Sequence, residues 1–291
     1  MPENRPPLFD FAATSHARAR ARRLAGDRFL DGAAAEGLAD RLSAVTRSFT
    51  RGLWIGPASA SEPSKDAVPG EIAPFATDWV IADFDAQEIL AAEGPFDLVV
   101  SLYSLQWIND LPGALVQIRQ RLRPDGLFLG ALFGGATLRE LRDAFAQAES
   151  ATRGGISPRV SPLADVRDAG SLLQRAGFAL PVADVERLVV RYSEFFGLVR
   201  DLRAHGLTNV MGERSRASLR RDTLAALIAQ YGAHHADPDG KLRASFETLY
   251  LTGWAPHESQ QKPLSPGSAK SRLAEALGTE EHPIKGSRSP S

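Results

Sequence analysis

The residues at the ends of the second and third apolar runs of this 291-residue chain, three of them polar, predict a ligand site. The second run ends at Asp83, and Asp85 follows two residues later. The third run begins at residue 96 and ends with Ser101 and Leu102. Continuous apolar runs are typical of strands that are buried on both faces of a parallel sheet. Open α/β sheets bind ligands at the carboxyl ends of their strands, so we expect these four residues to line one cleft.

Asn109 and Asp110 lie a few residues beyond the third run, and two interpretations of them stay open. Their amide and carboxylate are able to orient a substrate nitrogen or a ribose, which makes them the candidate catalytic residues. Alternatively, Asp110 is the N-cap of a helix expected over residues 112–122, with Asn109 beside it. No other residue is assigned a catalytic role.

Strands alternate with helices along the chain, and this order predicts an α/β fold with a mainly parallel sheet. We expect strands at residues 53–56, 79–83, 96–101, 127–133, 188–192 and 246–254. We expect helices at residues 112–122, 137–150, 168–176, 194–204 and 219–231, and two more ahead of the first strand. Thr137 is expected to cap its helix, with Glu140 in capping-box register.

The chain divides into three parts by composition. Residues 1–50 are expected to form an N-terminal helical segment, residues 51–257 the α/β domain, and residues 258–291 a polar, largely disordered tail. Arginines alternate with alanines near residue 20, which predicts either a partner- or RNA-binding arm or an exposed helix face. We prefer the exposed face, because no other basic surface is evident to extend the run.

Charge and composition limit the classes of function. The formal net charge of −1 provides no general attraction for nucleic acid, so no nucleic-acid partner is expected. The absence of cysteine excludes disulfides and thiolate zinc sites. His257 and Glu258 lack helical partners, and His234 and His235 are expected in a polar loop, so we predict no metal site. Neither a signal-peptide core nor a bilayer-spanning run is evident, and we therefore expect a cytoplasmic protein.

Several motifs, taken in order, resemble the second half of a class I methyltransferase sheet. They are Asp85 at the end of a strand, FDLVVS at residues 96–101, and the RPDG turn at residues 123–126. The segments WINDLPGAL (107–115), SPRVSP (157–162), DVRD (165–168) and GWAPHESQ (253–260) are similar to one branch. That branch contains respiratory complex I assembly factor 5 and the biotin-pathway malonyl-carrier methyltransferases.

The resemblance implies a Rossmann-like, doubly wound fold and S-adenosylmethionine as the cofactor. It also implies a protein or carrier substrate, such as a complex I subunit, and a role in complex I assembly. The positions that it marks as cofactor-binding are Gly56, Ala58, Asp83, Asp85, Ser101 and Leu102. Relatives usually have histidine where this chain has Gln106, and the loss of that titratable group counts against proton transfer.

The sequence departs from the family pattern in the cofactor loop. The turn that begins at Gly56 reads GPASA and keeps one glycine of the usual three. Gly56 and Asp85 are also closer together than two strand–helix–strand units allow, since one such unit takes ~30 residues. We therefore expect a reduced first half, with residues 57–78 irregular or holding one short helix, and weak binding of S-adenosylmethionine. A non-catalytic assembly factor is the alternative function, and an arginine hydroxylase is a third.

Overall fold

The computed structural model describes residues 7–24, 26–56 and 67–260. The helices are α1 (Phe11–Arg23), α2 (Phe29–Ser43), α3 (Leu111–Arg121), α4 (Arg139–Arg153), α5 (Val166–Arg175), α6 (Phe195–Ala204) and α7 (Arg221–His235). The strands are β1 (Phe49–Ile55), β2 (Ala76–Ala82), β3 (Phe96–Leu102), β4 (Leu122–Phe133), β5 (Ala179–Tyr192) and β6 (Leu242–Trp254). The described residues up to Pro256 form one compact unit. None of the described helices is long and apolar enough to cross a membrane.

The strands form one sheet in the order β2-β1-β3-β4-β6-β5. The pairs β2–β1, β1–β3 and β3–β4 are parallel, and β6 runs antiparallel to both β4 and β5. The expected α/β fold with a mainly parallel sheet is thus confirmed. Among the described strands, β2 is the outermost one next to β1. This agrees with the expected reduction of the first half of the α/β domain.

Helices cover both faces of the sheet, which is why its central strands are apolar on both sides. Alternate residues of β1 enter different cores: Trp54 belongs to the core that residues of α2 and α7 share, whereas Leu53 and Ile55 belong to the one that residues of α3 and α5 share. Leu53, Val99 and Phe128 are fully buried. Burial of each such side chain contributes about 1.5–3 kcal/mol to folding.

Several predicted boundaries differ from the structure. β5 begins at Ala179 rather than at residue 188, and β1 begins at Phe49, within the segment that we expected to be helical. The strand expected at 79 begins at Ala76, after one short 3₁₀ helix, Ala73–Phe75, which agrees with the irregular stretch expected there. Residues 57–66 of that stretch, with Ala58 among them, lie outside the described residues.

Candidate functional site

The carboxyl ends of β1, β2 and β3 lie side by side. Ile55, the last residue of β1, is in register with Ala82 of β2 on one side and with Ser101 of β3 on the other. Gly56 and Asp83 follow directly on their strands. The structure therefore brings Gly56, Asp83 and Ser101 together at one edge of the sheet, and their role in binding a cofactor stays a prediction.

Asp83 is tied to the N-terminal helix. Its Oδ2 accepts a hydrogen bond from Arg18 Nη1 at 2.9 Å, and its Oδ1 accepts one from the backbone N–H of Phe84. Arg18 also donates to the carbonyl of Ser104 beyond β3. The Asp83 side chain remains about one-third exposed, so the carboxylate borders solvent while it holds α1 over the strand ends.

Asp85 stabilises its own turn. One oxygen, Oδ1, accepts hydrogen bonds from the N–H groups of Gln87 and Ile89, both at 2.9 Å. The backbone N–H of Asp85 donates to the Ile89 carbonyl, which closes the turn. This is the geometry of an Asx turn, in which the carboxylate replaces a backbone acceptor.

Ser101 and Leu102 differ in what they offer at the end of β3. Both are buried, and the Leu102 side chain belongs to the core that also contains Trp54. The Ser101 hydroxyl, in contrast, has no hydrogen-bond partner among the described residues. Leaving a buried hydroxyl of this kind unpaired costs about 1–3 kcal/mol.

Trp54 is a residue of this site that the sequence reasoning missed. A Cβ added to Gly56 would lie 2.5 Å from Trp54 Nε1, so glycine is needed there to make room for the indole. Trp54 is buried, and its Nε1 has no hydrogen-bond partner in the part of the chain that the structure describes. The only sequence signal was a large aromatic residue two positions before the glycine of the loop.

Asn109 forms contacts that are structural in kind. It bonds in both directions to Phe9, since its Oδ1 accepts from the Phe9 N–H at 2.8 Å and its Nδ2 donates to the Phe9 carbonyl. Its Nδ2 and backbone N–H also donate to the Glu88 carboxylate. Phe9 in turn packs edge-to-face on Trp107.

Asp110 is the N-cap of α3. Its Oδ1 accepts a hydrogen bond from the Gly113 N–H at 2.9 Å, and its own N–H donates to Glu88. Glu88 has a φ of 59°, in the left-handed region, which the three hydrogen bonds from Asn109 and Asp110 to its carboxylate help to maintain. The structure thus matches the N-cap interpretation of the two candidate catalytic residues.

Tyr103 and Gln106 follow β3 on the side that faces α2 and α6. Tyr103 stacks on Phe133 and shares a hydrogen bond with Thr248. Burial raises the pKa of Tyr103 far above its usual range, so the phenol stays neutral. Gln106 donates to the Tyr103 carbonyl, and its Oε1 lacks a partner among the described residues.

A cavity of about 170 Å³ lies between α1 and the ends of β2 and β3. Asp83 and Phe84 line one side, Ser104 and Ile108 the other, and Arg18 comes from α1. Its lining combines a carboxylate, the guanidinium groups of Arg18 and Arg22, the hydroxyls of Thr14 and Ser15, and apolar side chains. Within the described ranges, no group of three His, Asp or Glu side chains is arranged to hold a metal ion, and the absence of a metal site stays a prediction.

An open α/β sheet with a cleft at its parallel strand ends defines a Rossmann-like protein. A family model described as a methyltransferase domain matches residues 7–181, and the chain belongs to that family.

Two relatives illustrate the range of the family. The arginine-hydroxylase NDUFAF5, mitochondrial, of Danio rerio is 40% identical over 256 residues, which are 82% of this chain and 78% of that protein. The malonyl-[acyl-carrier protein] O-methyltransferase of Laribacter hongkongensis is 37% identical over 183 residues, which are 63% of this chain and 59% of that protein. Among solved structures, the YcgJ protein from Bacillus has a TM-score of 0.49 at 11% identity, covering 77% of this chain and 99% of that one.

Proposed function

We propose that this chain binds S-adenosylmethionine at the ends of β1, β2 and β3 and modifies a protein partner during the assembly of respiratory complex I. Membership of the methyltransferase-domain family supports the cofactor. Similarity to proteins named arginine-hydroxylase NDUFAF5 supports a protein substrate. The observation that carries the proposal is the meeting of Gly56, Asp83 and the unpaired Ser101 hydroxyl at one edge of the sheet.

The described residues fit the adenosine half of the cofactor. The Asp83 carboxylate is suited to accept hydrogen bonds from ribose hydroxyls, and Phe84 and Ile108 supply apolar walls for a purine. When bound, the cofactor supplies a methyl group activated by its sulfonium. The chain's own residues bind and orient the cofactor and the substrate and do not transfer a proton. Neither Gln106 nor the neutral Tyr103 is a base near neutral pH.

A second candidate is a non-catalytic assembly factor, and two contacts favour it. Arg18 already holds the Asp83 carboxylate, and a ligand has to displace or share that ion pair. The Trp54 indole fills the space beside Gly56 that a closely approaching ligand uses in glycine-rich turns. Both contacts weaken the cofactor site without disturbing the fold. An arginine hydroxylase rests on the names of relatives alone.

Isothermal titration with S-adenosylmethionine and with S-adenosylhomocysteine separates the first two candidates. We expect weak binding, between about 10 μM and 1 mM, since unmet hydrogen bonds cost about 1–3 kcal/mol each. Asp83→Asn should weaken binding at least about tenfold, whereas the matched control Asp85→Asn should leave it unchanged. No heat at millimolar cofactor would contradict the proposal and favour the assembly factor.

The assembly role needs a separate measurement in cells. In cells that lack this protein, the amount of complete complex I on native gels should fall, and the wild-type chain should restore it. If Asp83→Asn restores complex I as well as the wild type does, the role does not depend on the cofactor. Unchanged complex I in the deletion strain would contradict the assembly role itself.

A further inference from the structure

A groove of about 730 Å³ runs between α1, α6 and the loop of residues 205–220. Its rim is basic, with Arg20 on α1, Arg203 on α6, and Arg214 and Arg216 on the loop. Arg203, Arg214 and Arg216 are distant from Arg20 in sequence. The expectation that nothing extends the basic run of α1 was therefore wrong, because the fold brings a second basic segment beside it.

The groove keeps a positive charge after its internal ion pairs are counted. Its described lining holds five arginines and no carboxylate. Arg159 is paired with the buried Glu149, and Arg214 with Asp10. Arg20 donates only to the Thr208 hydroxyl in the described chain, and Arg203 has no ionic partner there.

Arg216 adds a further exposed charge to the rim. Its side chain is 79% exposed and lies 4.0 Å from Asp10, the carboxylate that Arg214 already binds. An exposed pair at that distance contributes little. The rim therefore presents Arg20, Arg203 and Arg216 to an incoming ligand.

The floor of the groove is apolar. Phe145, Phe195 and Phe196 line it together with leucines of α6 and α7. Phe196 is 47% exposed, and its ring lies edge-to-face against Phe195. The groove is concave, a shape that suits a polypeptide segment better than a flat bilayer. An apolar floor also gives a phosphate backbone nothing to bind.

We propose that this groove binds an acidic, amphipathic segment of the partner protein, with carboxylates on the arginine rim and apolar side chains on the phenylalanine floor. The inference rests on the proposed function, since it specifies the protein partner of the same site. Leu207 lines the groove and also a smaller cavity that reaches Tyr103 and Gln106 at the end of β3. A segment in the groove is thus bound next to the strand ends.

The test measures fluorescence anisotropy of a labelled synthetic peptide in which leucine and glutamate repeat at helical spacing, added to the full-length chain. Arg203→Glu combined with Arg216→Glu should weaken binding by about 30-fold or more, because attraction becomes repulsion at two rim positions. Phe196→Ala should weaken it by about 5-fold or more. Arg175→Glu is the matched control, since Arg175, like Arg203, lies in the last turn of a ten-residue helix but does not line the groove.

The outcomes distinguish the possible occupants. Binding of the peptide that falls with both groove variants and is unchanged in Arg175→Glu supports the proposal. Equal binding by all variants, or no binding, overturns it. A single-stranded oligonucleotide or phosphatidylserine vesicles bound more tightly than the peptide, with the same dependence on Arg203 and Arg216, would also overturn it. So would self-association of the chain that these substitutions abolish.

Failure here and failure of the proposed function are separable. The peptide experiment contains no cofactor, and the cofactor titration contains no peptide. No peptide binding by the wild-type chain, together with intact cofactor binding, would overturn the groove proposal alone.

Discussion

Arg18 Nη1 lies 2.9 Å from Asp83 Oδ2, so the N-terminal helix is fastened to the carboxyl end of β2 by one ion pair. Both side chains are about one-quarter to one-third exposed. A pair at this exposure contributes little to stability, on the order of 1 kcal/mol or less. Its larger effect is on the cleft, because it uses the carboxylate that a ribose would need.

Arg18→Ala should therefore strengthen the binding of S-adenosylmethionine, by about 3- to 10-fold, since the cofactor no longer competes with the guanidinium for Asp83. Titration calorimetry measures the change. Arg23→Ala is the control, because Arg23 is an exposed arginine of the same helix that does not line the cleft. Weaker binding in Arg18→Ala would show that Arg18 contacts the cofactor instead of excluding it.

Gly56→Ala should lower the free energy of unfolding by about 1–3 kcal/mol, because the new Cβ would lie 2.5 Å from the Trp54 indole. The penalty should largely disappear in a Trp54→Leu background, where the added methyl has space. Urea unfolding of the two single variants and the double variant measures this coupling. If the effects of the two substitutions simply add, the contact between Trp54 and Gly56 is not what requires the glycine.

Asp110→Ala should cost about 1 kcal/mol of unfolding free energy through the loss of the α3 N-cap, and Asp110→Asn should cost much less, since asparagine caps almost as well. Neither change removes a group that touches the cavity beside Asp83. We therefore expect cofactor affinity to stay within about twofold in both. If the affinity falls by more than the loss of stability can explain, Asp110 becomes a candidate catalytic residue again.

Asn109→Ala acts on a different part of the chain, because Asn109 bonds to both backbone groups of Phe9. We expect faster amide hydrogen exchange and faster proteolysis near Phe9, with exchange in β3 unchanged. If amide exchange at Phe9 is as slow in Asn109→Ala as in the wild type, Asn109 does not hold this segment in place.

The central strands were predictable because they are apolar on both faces, as in β1, β3 and β4. The first half of β5 was missed because it is an edge strand whose charged residues, such as Asp184 and Arg187, are paired with Arg41 and Glu247. Its sequence therefore lacks the apolar run by which the other strands are found. The helices that follow β3 were predicted to within a few residues, since their periodicity is local.

Contacts between distant segments were not predictable in the same way. Thr137 and Glu140 fit a local capping box, yet α4 begins at Arg139 and both side chains bond to β6 instead. Thr137 Oγ1 donates to the Glu247 carbonyl, and Glu140 accepts from Ser245. The partners lie more than 100 residues away, so the local pattern gives no sign of them. The ion pair of Arg18 with Asp83 is of the same kind.

Glu149 joins α4 to the loop that follows it, and it is fully buried. Burial alone would raise the pKa of Glu149, but the hydrogen bond from the Ser157 N–H and the guanidinium of Arg159 outweigh it and lower that pKa below its usual range. A carboxylate whose pKa is lowered by folding stabilises the folded state above its unfolded pKa, ~4.3, and loses that contribution as the pH falls through its folded pKa. The loop it holds carries Arg159, which lines the groove.

Glu149→Gln should lower the free energy of unfolding at pH 7 by about 3 kcal/mol, because it leaves the largely buried Arg159 without its counter-ion. The difference from the wild type should shrink as the pH falls from the unfolded pKa, ~4.3, through the lower folded pKa, where the wild-type carboxylate also becomes neutral. Urea unfolding of the wild type and of Glu149→Gln, measured between pH 3 and pH 7 at intervals of ~0.5 pH units, gives the free energy of unfolding of each as a function of pH. Glu194→Gln is the matched control: its pair with Arg200 is exposed, and its removal should cost less than about 0.5 kcal/mol at any pH. A difference between Glu149→Gln and the wild type that stays constant down to pH 3 would mean that the side chain stabilises the loop by packing rather than by its charge.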